Sequence, residues 1–189
     1  MMSPEAAAQL AAQRKAFRQY MAGPRNGPLT LEKNGEYGVD SALHQSLLSS
    51  LRLSLRYALL RLAFYAPFCP IKIGLYRLLG MKIGRRVCVS PEVVLDPVFP
   101  ELIELEDDCC LGIGCRLFTH EYTATNFRMG PIRIGKGSVI GAYATVRSGT
   151  TIGARVTVGA NSFVNCDVQD DTVVGGVPAK PLISRRKGN

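Results

Sequence analysis

The chain has two histidines, and one of them lies where a titratable side chain could do chemistry. His120 stands in Leu117-Phe118-Thr119-His120-Glu121-Tyr122, directly before residues 121–131, which interrupt an otherwise regular pattern. Functional side chains are often carried by loops on a rigid scaffold, and a neutral imidazole accepts a proton near neutral pH. His44 falls in the first turns of a predicted helix, where a surface or packing role is expected. His120 is therefore the candidate acid–base residue. The alternative is a histidine with a purely structural role, hydrogen-bonded at the surface or at a corner.

A repeat with a period of six residues surrounds His120 and must position it. From 134 to 169 an apolar residue recurs at every sixth position, and the fourth residue after each is small or branched. The apolar positions are Ile134, Ile140, Val146, Ile152, Val158 and Val164. A period of six excludes an α-helix and favours a coil of short strands joined by tight corners. One apolar side chain of each strand would point into the coil.

The repeat extends upstream, with an interruption at 96–103. Its apolar positions there are Ile83, Val89, Leu95, Leu105, Leu111 and Leu117, with Cys109 and Cys115 in small interior positions. Allowing for the extra residues of the interruption, Leu95 falls one coil below Leu117. We therefore expect Asp96 to lie near the segment that carries His120. The structural alternative is that the Asp96 carboxylate caps the turn before Pro97.

The pattern [Ile/Leu/Val]-Gly-x-x-[small]-x over residues 83–180 resembles the hexapeptide-repeat acyltransferase family, which includes maltose, galactoside and serine O-acetyltransferases. The resemblance implies an all-β solenoid, the left-handed parallel β-helix, with three hexapeptides per coil. We expect an α-helical N-terminal extension at 1–80, the β-helix acyltransferase domain at 81–182 and a basic C-terminal tail at 183–189.

The resemblance also implies an activity, an O-acyltransferase that moves an acetyl group from acetyl-CoA to a sugar hydroxyl. His120 would be the general base, which typically contributes about 10²–10⁴ in rate. In similar enzymes an Asp or Asn at the level of Asp96 binds the acceptor. Glu121 is expected to lie on the side of the site that binds the acceptor, where it could also orient the imidazole. The acceptor would be a lipid-linked or polysaccharide precursor, and the active site would lie between subunits of a homotrimer.

An acetyl-CoA site follows from the same resemblance. Residues 175–180, Gly-Gly-Val-Pro-Ala-Lys, resemble the signature that closes the solenoid in acyl-CoA-dependent members, and Lys180 would face the cofactor phosphates. Ala142 and Ala160 would line the pantetheine groove, and Gly141 or Ala142 would donate its backbone N–H to the acyl oxygen. Where relatives often carry Thr-Lys this chain has Asn-Cys at 165–166, so Arg185 and Arg186 are the substitute cations. No metal is expected.

The N-terminal half has a distinct composition. Helices are predicted at Pro4–Met21 and about Ser41–Tyr65, while Leu29–Gly38 is polar with turn residues. Residues 41–91 contain eight Lys and Arg but no Asp or Glu, within a chain of net charge +8. Such a segment can lie on an anionic membrane surface or cap the open end of the solenoid, and both could hold. The charges and prolines of 53–73 argue against a spanning helix.

Other function classes fit less well. A zinc-dependent carbonic anhydrase of this fold needs three histidines, and nucleic acid is not expected because the basic residues lack interleaved aromatics. The chain has six cysteines without a CxxC motif and no apolar segment like that of a signal peptide, which predicts a cytoplasmic protein. If the segment 41–91 binds lipid, the protein would be peripheral at the inner membrane face. Two alternatives stay open: an N-acetyltransferase acting on an amino sugar or antibiotic, and a catalytically silent trimeric scaffold.

Overall fold

Short parallel strands stacked in three sheets form the larger part of the chain. The computed structural model describes residues 4–32 and 47–182. The first sheet contains β2 (Lys82–Ile83), β5 (Ile103–Leu105), β10 (Ile132–Ile134) and β13 (Thr151–Ile152). The second contains β3 (Cys88–Val89), β6 (Cys110–Leu111), β11 (Val139–Ile140), β14 (Thr157–Val158), β16 (Val173–Gly175) and, antiparallel at the edge, β17 (Lys180–Pro181). The third contains β4 (Val94–Leu95), β7 (Arg116–Leu117), β12 (Thr145–Val146) and β15 (Phe163–Val164).

The chain visits these sheets in turn, so that each coil takes one strand from each sheet. In the first sheet β5 pairs in parallel with both β2 and β10. In the other two, Leu111 lies opposite Ile140 and Leu117 opposite Val146. Neighbouring strands of a sheet thus belong to successive coils, which makes the architecture a parallel β-helix. The predicted solenoid is confirmed, including the two coils expected within residues 134–169.

The interior of the coils consists of the residues that the repeat marks. Leu111, Leu117, Ile134, Ile140, Val146 and Ile152 are all 0 % exposed. Cys109 and Cys115 are buried in the small positions, as predicted. Ser138 is also buried in such a position, where its hydroxyl donates to the carbonyl of Gly153 at 2.7 Å and accepts from the N–H of Val156 at 2.9 Å. Because a buried hydroxyl must be hydrogen-bonded, these two contacts make Ser138 tolerable inside the coil.

Helices close the N-terminal end of the solenoid. They are α2 (Leu47–Tyr65) and α3 (Cys69–Leu78), whereas α1 (Pro4–Ala22) packs beside β1 on a second apolar cluster described below. Ala63 of α2 and Tyr76 of α3 are buried in the same core cluster as the first coil, so the expected cap is present. The predicted start of the second helix lies outside the described residues. The helix α3 was not predicted; Pro70, a residue disfavoured inside helices, stands in its first turn, where proline is tolerated. Among the described residues, no helix combines the length and apolarity needed to cross a bilayer.

The second interruption of the repeat is a hairpin and not an irregular loop. Its strands are β8 (His120–Tyr122) and β9 (Asn126–Met129), and the N-terminal strand β1 (Leu29–Glu32) pairs antiparallel with β9. A second apolar cluster lies beneath them, formed by Leu31, Phe99, Leu102, Phe127 and Met129. Sequence reasoning missed β1, because its pairing partner is almost a hundred residues away and nothing local predicts it. The N-terminal segment therefore helps to hold the segment that begins with His120.

Candidate functional site

Two interruptions of the repeat bring Asp96 and His120 together. Leu95 pairs with Leu117 in register, one coil apart, as the sequence predicted. The side chains that follow these strands meet, with Oδ2 of Asp96 2.5 Å from Nδ1 of His120. The Asp96 side chain is completely buried, whereas that of His120 is 20 % exposed. The pair therefore consists of an interior carboxylate and an imidazole at the surface.

Backbone amides hold the Asp96 carboxylate in place. Oδ1 accepts from the N–H of Val98 at 2.8 Å and of Phe99 at 3.3 Å. Oδ2 accepts from the N–H of Thr119 at 2.9 Å and of His120 at 3.2 Å. Burial acts to raise the pKa of Asp96, but the hydrogen bonds from His120, Thr119 and Val98 outweigh it and hold that pKa below its ordinary value. Asp96 is therefore an ionised carboxylate at neutral pH.

This geometry corrects the expected role of Asp96. A carboxylate with both oxygens engaged and no exposed surface is not placed to bind an acceptor. Its Oδ2 instead accepts a hydrogen bond from the Nδ1–H group of His120, because an ionised carboxylate has no hydrogen to donate. The neutral imidazole then carries its hydrogen on Nδ1 and its lone pair on Nε2. The turn-capping interpretation also holds, since Oδ1 bonds the amide two residues ahead.

Aromatic rings surround the imidazole. The ring centroids of Phe99, Tyr122 and Phe127 lie 5.6, 6.0 and 6.1 Å from that of His120. Phe99 in turn contacts Phe17 of α1, with 5.8 Å between the ring centroids. These contacts limit the rotation of the imidazole, so the second ring nitrogen keeps one direction.

Glu121 does not orient the imidazole, contrary to one expectation. Its Oε1 accepts from Nε of Arg147 at 2.8 Å and lies 3.5 Å from Nε of Arg128. The Ser148 hydroxyl is 3.4 Å from the same oxygen. The carboxylate is thus held by Arg147 and Ser148, one coil above His120, and by Arg128 of the paired strand β9. Arg147 was not predicted from the sequence, although the register Leu117–Val146 places a cation directly above the histidine segment.

A small cavity opens beside His120. It has a volume of about 110 Å³ and is lined by Phe118, His120, Glu121, Arg147, Phe163 and three neighbouring residues of β12 and its exit. Pockets that bury a small ligand usually measure about 300–1,000 Å³. The cavity beside His120 is therefore smaller than a usual ligand pocket. Among the described residues, no group of three or more His, Cys, Asp or Glu could hold a metal ion.

The residues expected to bind the cofactor lie at a different corner. Ile140 pairs with Val158, which stacks Ala142 over Ala160 between the second and third sheets. Lys180 is exposed and lies opposite Gly175 in the outermost strands of the second sheet. The structure thus brings Ala142, Ala160 and Lys180 to one end of the solenoid surface. Arg185 lies outside the described residues.

Gly141 cannot serve as the expected amide donor in this conformation. Its N–H donates to the carbonyl of Val158 at 2.9 Å. The N–H of Ala142, by contrast, has no acceptor within residues 4–32 and 47–182. Of the two amides named from the sequence, Ala142 is the one that a ligand could use.

His120 and Ala142 stand at opposite ends of the third sheet. His120 follows β7, whereas Ala142 precedes β12, which lies directly above β7. By this register His120 lies at the level of Gly149, seven residue steps beyond Ala142, which corresponds to a separation on the order of 20 Å. A general base must lie within about 3 Å of the proton that it takes. Within one chain these two parts of the predicted site, which we call the half-sites, therefore do not meet.

Comparison with known proteins assigns the family. Residues 131–166 match the family model described as bacterial transferase hexapeptide (six repeats). The chain is 32% identical over 138 residues to a Bacillus subtilis (strain 168) protein named "Putative acetyltransferase YvoF", covering 72% of this chain and 80% of that protein. The chain belongs to the hexapeptide-repeat acetyltransferases.

Two further similarities are informative. A hexapeptide-repeat-containing acetyltransferase of Vibrio cholerae O1 biovar eltor, solved in complex with acetyl coenzyme A, is 26% identical with a TM-score of 0.59, covering 74% of this chain and 90% of that one. A 47-residue stretch is 49% identical to the Escherichia coli (strain K12) protein "Putative lipopolysaccharide biosynthesis O-acetyl transferase WbbJ" and covers 25% of this chain and 24% of that protein.

Proposed function

We propose that this protein is an acetyl-CoA-dependent O-acetyltransferase whose acceptor is a sugar hydroxyl of a lipid-linked or polysaccharide precursor. The observation that carries the proposal is the Asp96–His120 pair, a surface imidazole fixed by a buried carboxylate at 2.5 Å. The acetyl-CoA complex of the Vibrio relative supports the donor. The name of the Escherichia coli relative supports an O-linked, surface-polysaccharide acceptor.

The chain's own residues account for the proton transfers of such a reaction. A sugar hydroxyl is a weak nucleophile at neutral pH, and Nε2 of His120 would take its proton as the oxygen attacks. The charge that then forms on the imidazole is stabilised by the Asp96 carboxylate against Nδ1. The same proton would be returned from Nε2 to the leaving sulfur. Acetyl-CoA, when bound, would supply an acyl group activated as a thioester.

The cofactor would bind at the corner of Ala142, Ala160 and Lys180. Two stacked small residues allow a ligand to approach the backbone closely, and the N–H of Ala142 is an available donor for developing negative charge. Lys180, exposed beside this corner, would pair with phosphate, and Arg185 of the tail would add a second cation. The donor set therefore fits a long, anionic ligand.

A complete site requires a second copy of the chain. The cavity at His120 is small, and the cofactor corner lies on the order of 20 Å away in the same chain. In a cyclic homotrimer the His120 end of one protomer can face the Ala142 corner of its neighbour, and this happens three times by symmetry. We therefore place the active site between subunits of a homotrimer, with the coils left-handed as in the family.

The decisive experiment compares acetyl transfer by the wild-type protein and by His120→Ala. Release of free CoA thiol is followed with hydroxyl and amino sugars as acceptors, and acetyl-CoA binding is measured by calorimetry. We expect turnover to fall by about 10²-fold or more, with binding unchanged, because only proton transfer is lost. His44→Ala is the matched control and should keep its activity.

A His120→Ala variant with most of its turnover would remove the general-base role. Acetylated amino sugars without ester products would identify the N-acetyltransferase alternative. Wild-type protein that neither binds nor turns over acetyl-CoA would favour the silent scaffold.

A further inference from the structure

The outer face of α2 carries an apolar stripe that nothing in the described chain covers. Leu51, Leu55, Ala58, Leu62 and Tyr65 follow one another at intervals of four and three residues, which places them on one side of a helix. Leu51, Leu55, Leu62 and Tyr65 are 66%, 61%, 59% and 73% exposed. Another side of the helix holds Ala63, which is 0 % exposed, and Leu60, which packs against the same core cluster. The stripe is thus additional to the face that packs on the solenoid.

The neighbouring helix α3 adds to this surface. Lys72 and Tyr76 face the first coil and are buried. Phe68, Ile71 and Leu78 are 64%, 50% and 72% exposed. We call the stripe of α2 together with these three residues the cap face. Large exposed apolar surfaces on a protein commonly mark an interaction site.

Most of the basic residues in residues 41–91 already form hydrogen bonds or ion pairs with other groups of the protein. Six of the eight in residues 41–91 have partners: Arg56 with Glu101, Lys72 with the Ser90 carbonyl, Arg77 with the Ile83 and Gly84 carbonyls, Lys82 with Glu104, Arg85 with Asp107, and Arg86 with Asp108. Arg52 and Arg61 are exposed and have no such partner among the described residues. At 100° per residue they lie on opposite flanks of the α2 stripe. Of the eight cations of residues 41–91, the two without a partner among the described residues therefore flank the apolar stripe.

Charge decides what this surface can receive. The helix α2 contains three arginines and no acidic residue. Two α2 stripes packed together would bring arginines against arginines, and helix pairs of this kind normally need complementary charges on their flanks. An anionic surface with an apolar interior complements both features.

We propose that the cap face docks on the surface of a bilayer that contains anionic lipids. The leucines and the aromatic residues would enter the boundary between headgroups and acyl chains, as interfacial amphipathic helices do. Arg52 and Arg61 would contact lipid phosphates. Tyr65 and Phe68, at the end of α2 and the start of α3, are of the type that favours the membrane interface. The proposal does not rest on acetyl transfer.

The test is co-sedimentation of the full chain with vesicles at low salt. Vesicles of phosphatidylethanolamine and phosphatidylglycerol are compared with vesicles of phosphatidylcholine alone. We expect binding to the anionic vesicles, and about thirtyfold weaker binding for Arg52→Gln/Arg61→Gln, because each cation near an anionic surface contributes about fivefold. Leu55→Gln/Leu62→Gln should also lose binding, with an unchanged mass by light scattering.

Matched controls separate the cap face from overall charge. Lys15→Gln/Arg18→Gln removes the same charge from exposed positions of α1 and should bind like the wild type. The proposal is overturned if the wild type ignores anionic vesicles, if it binds phosphatidylcholine equally well, or if both charge variants weaken binding alike. It is also overturned if Leu55→Gln/Leu62→Gln dissociates an oligomer, since the face would then be a contact between copies.

Discussion

Asp96 links the two interruptions of the repeat through its two oxygens. Oδ1 shapes the first interruption by accepting from Val98 and Phe99, and Oδ2 binds the second through Thr119 and His120. The imidazole is thus oriented by the carboxylate that also fixes the local backbone. Replacing a buried acceptor that binds several donors destabilises the fold, because each donor left unpaired lowers the free energy of unfolding by about 1–3 kcal/mol.

Replacement of Asp96 by Asn tests its positioning role. The Asn amide can donate to Nδ1, which would move the imidazole hydrogen to Nε2 and remove the base. We expect kcat to fall by about 10²–10⁴ with little change in acetyl-CoA affinity. Nitrogen NMR of His120 should show Nε2 protonated in the variant and unprotonated in the wild type. The control Glu121→Gln removes a nearby charge but not the partner of Nδ1, so it should keep the wild-type tautomer. Equal kcat values for both variants would refute the positioning role of Asp96.

Asp96 also predicts how stability depends on pH. Its pKa is lowered in the folded protein, so the folded state binds fewer protons than the unfolded chain. The resulting stabilisation is present above the unfolded pKa of about 3.9 and is lost as pH falls through the folded value. The difference in unfolding free energy between wild type and Asp96→Asn should therefore narrow in acid. Urea unfolding from about pH 7 to about pH 3 measures it, and a constant difference would contradict the assignment.

At the scale of elements, the solenoid and its N-terminal extension hold the histidine segment from two sides. β7 leads into His120 from the coil, and β1 binds the outer strand of the hairpin through pairs such as Leu31 with Phe127. The helix α1 supports the same region through Phe17 and Phe99. The extension therefore does more than cap the coil, because it forms part of the wall around the candidate base.

The surroundings of two glycines, one at a corner of the coil and one in a helix, predict opposite effects for their Gly→Ala substitutions. A Cβ on Gly141 would lie 2.6 Å from the backbone nitrogen of Ala160, in the next coil. A Cβ on Gly74, in α3, would meet nothing within 4 Å. We expect Gly141→Ala to destabilise the protein by about 1–3 kcal/mol, and Gly74→Ala to stabilise it by up to about 1 kcal/mol. Thermal unfolding of the two variants checks this, and effects of the same sign would show that the coils are not stacked so closely.

At the scale of the whole molecule, the two half-sites predict complementation between inactive chains. His120→Ala removes the base, and Ala160→Trp at an exposed corner would block the cofactor groove. If the active site is shared between subunits, co-assembled variants should regain about a quarter of the wild-type activity under random mixing. Each variant alone should remain inactive. Mixed oligomers seen by native mass spectrometry but without activity would show that the site lies within one chain.

The period of six made the coil predictable, because it reflects local geometry: a short strand, a corner and one inward side chain. Every interior position from Val89 to Val164 named from the repeat is buried. The register of Leu95 with Leu117 followed from counting, and with it the proximity of Asp96 to His120. These features depend on the order of residues along the chain.

Side-chain partners and surfaces depended on the tertiary structure. Which carboxylate meets the imidazole depends on where the two interruptions fold back, so Asp96 and not Glu121 takes that place. The pairing of β1 with the hairpin, the separation of Ala142 from His120 and the exposed side of α2 also come from contacts between distant segments. Sequence alone determined the coil and the place of His120 at the second interruption of the repeat, because local spacing carries both. Only the folded chain decided what each polar side chain touches, because that requires residues far apart in sequence to meet.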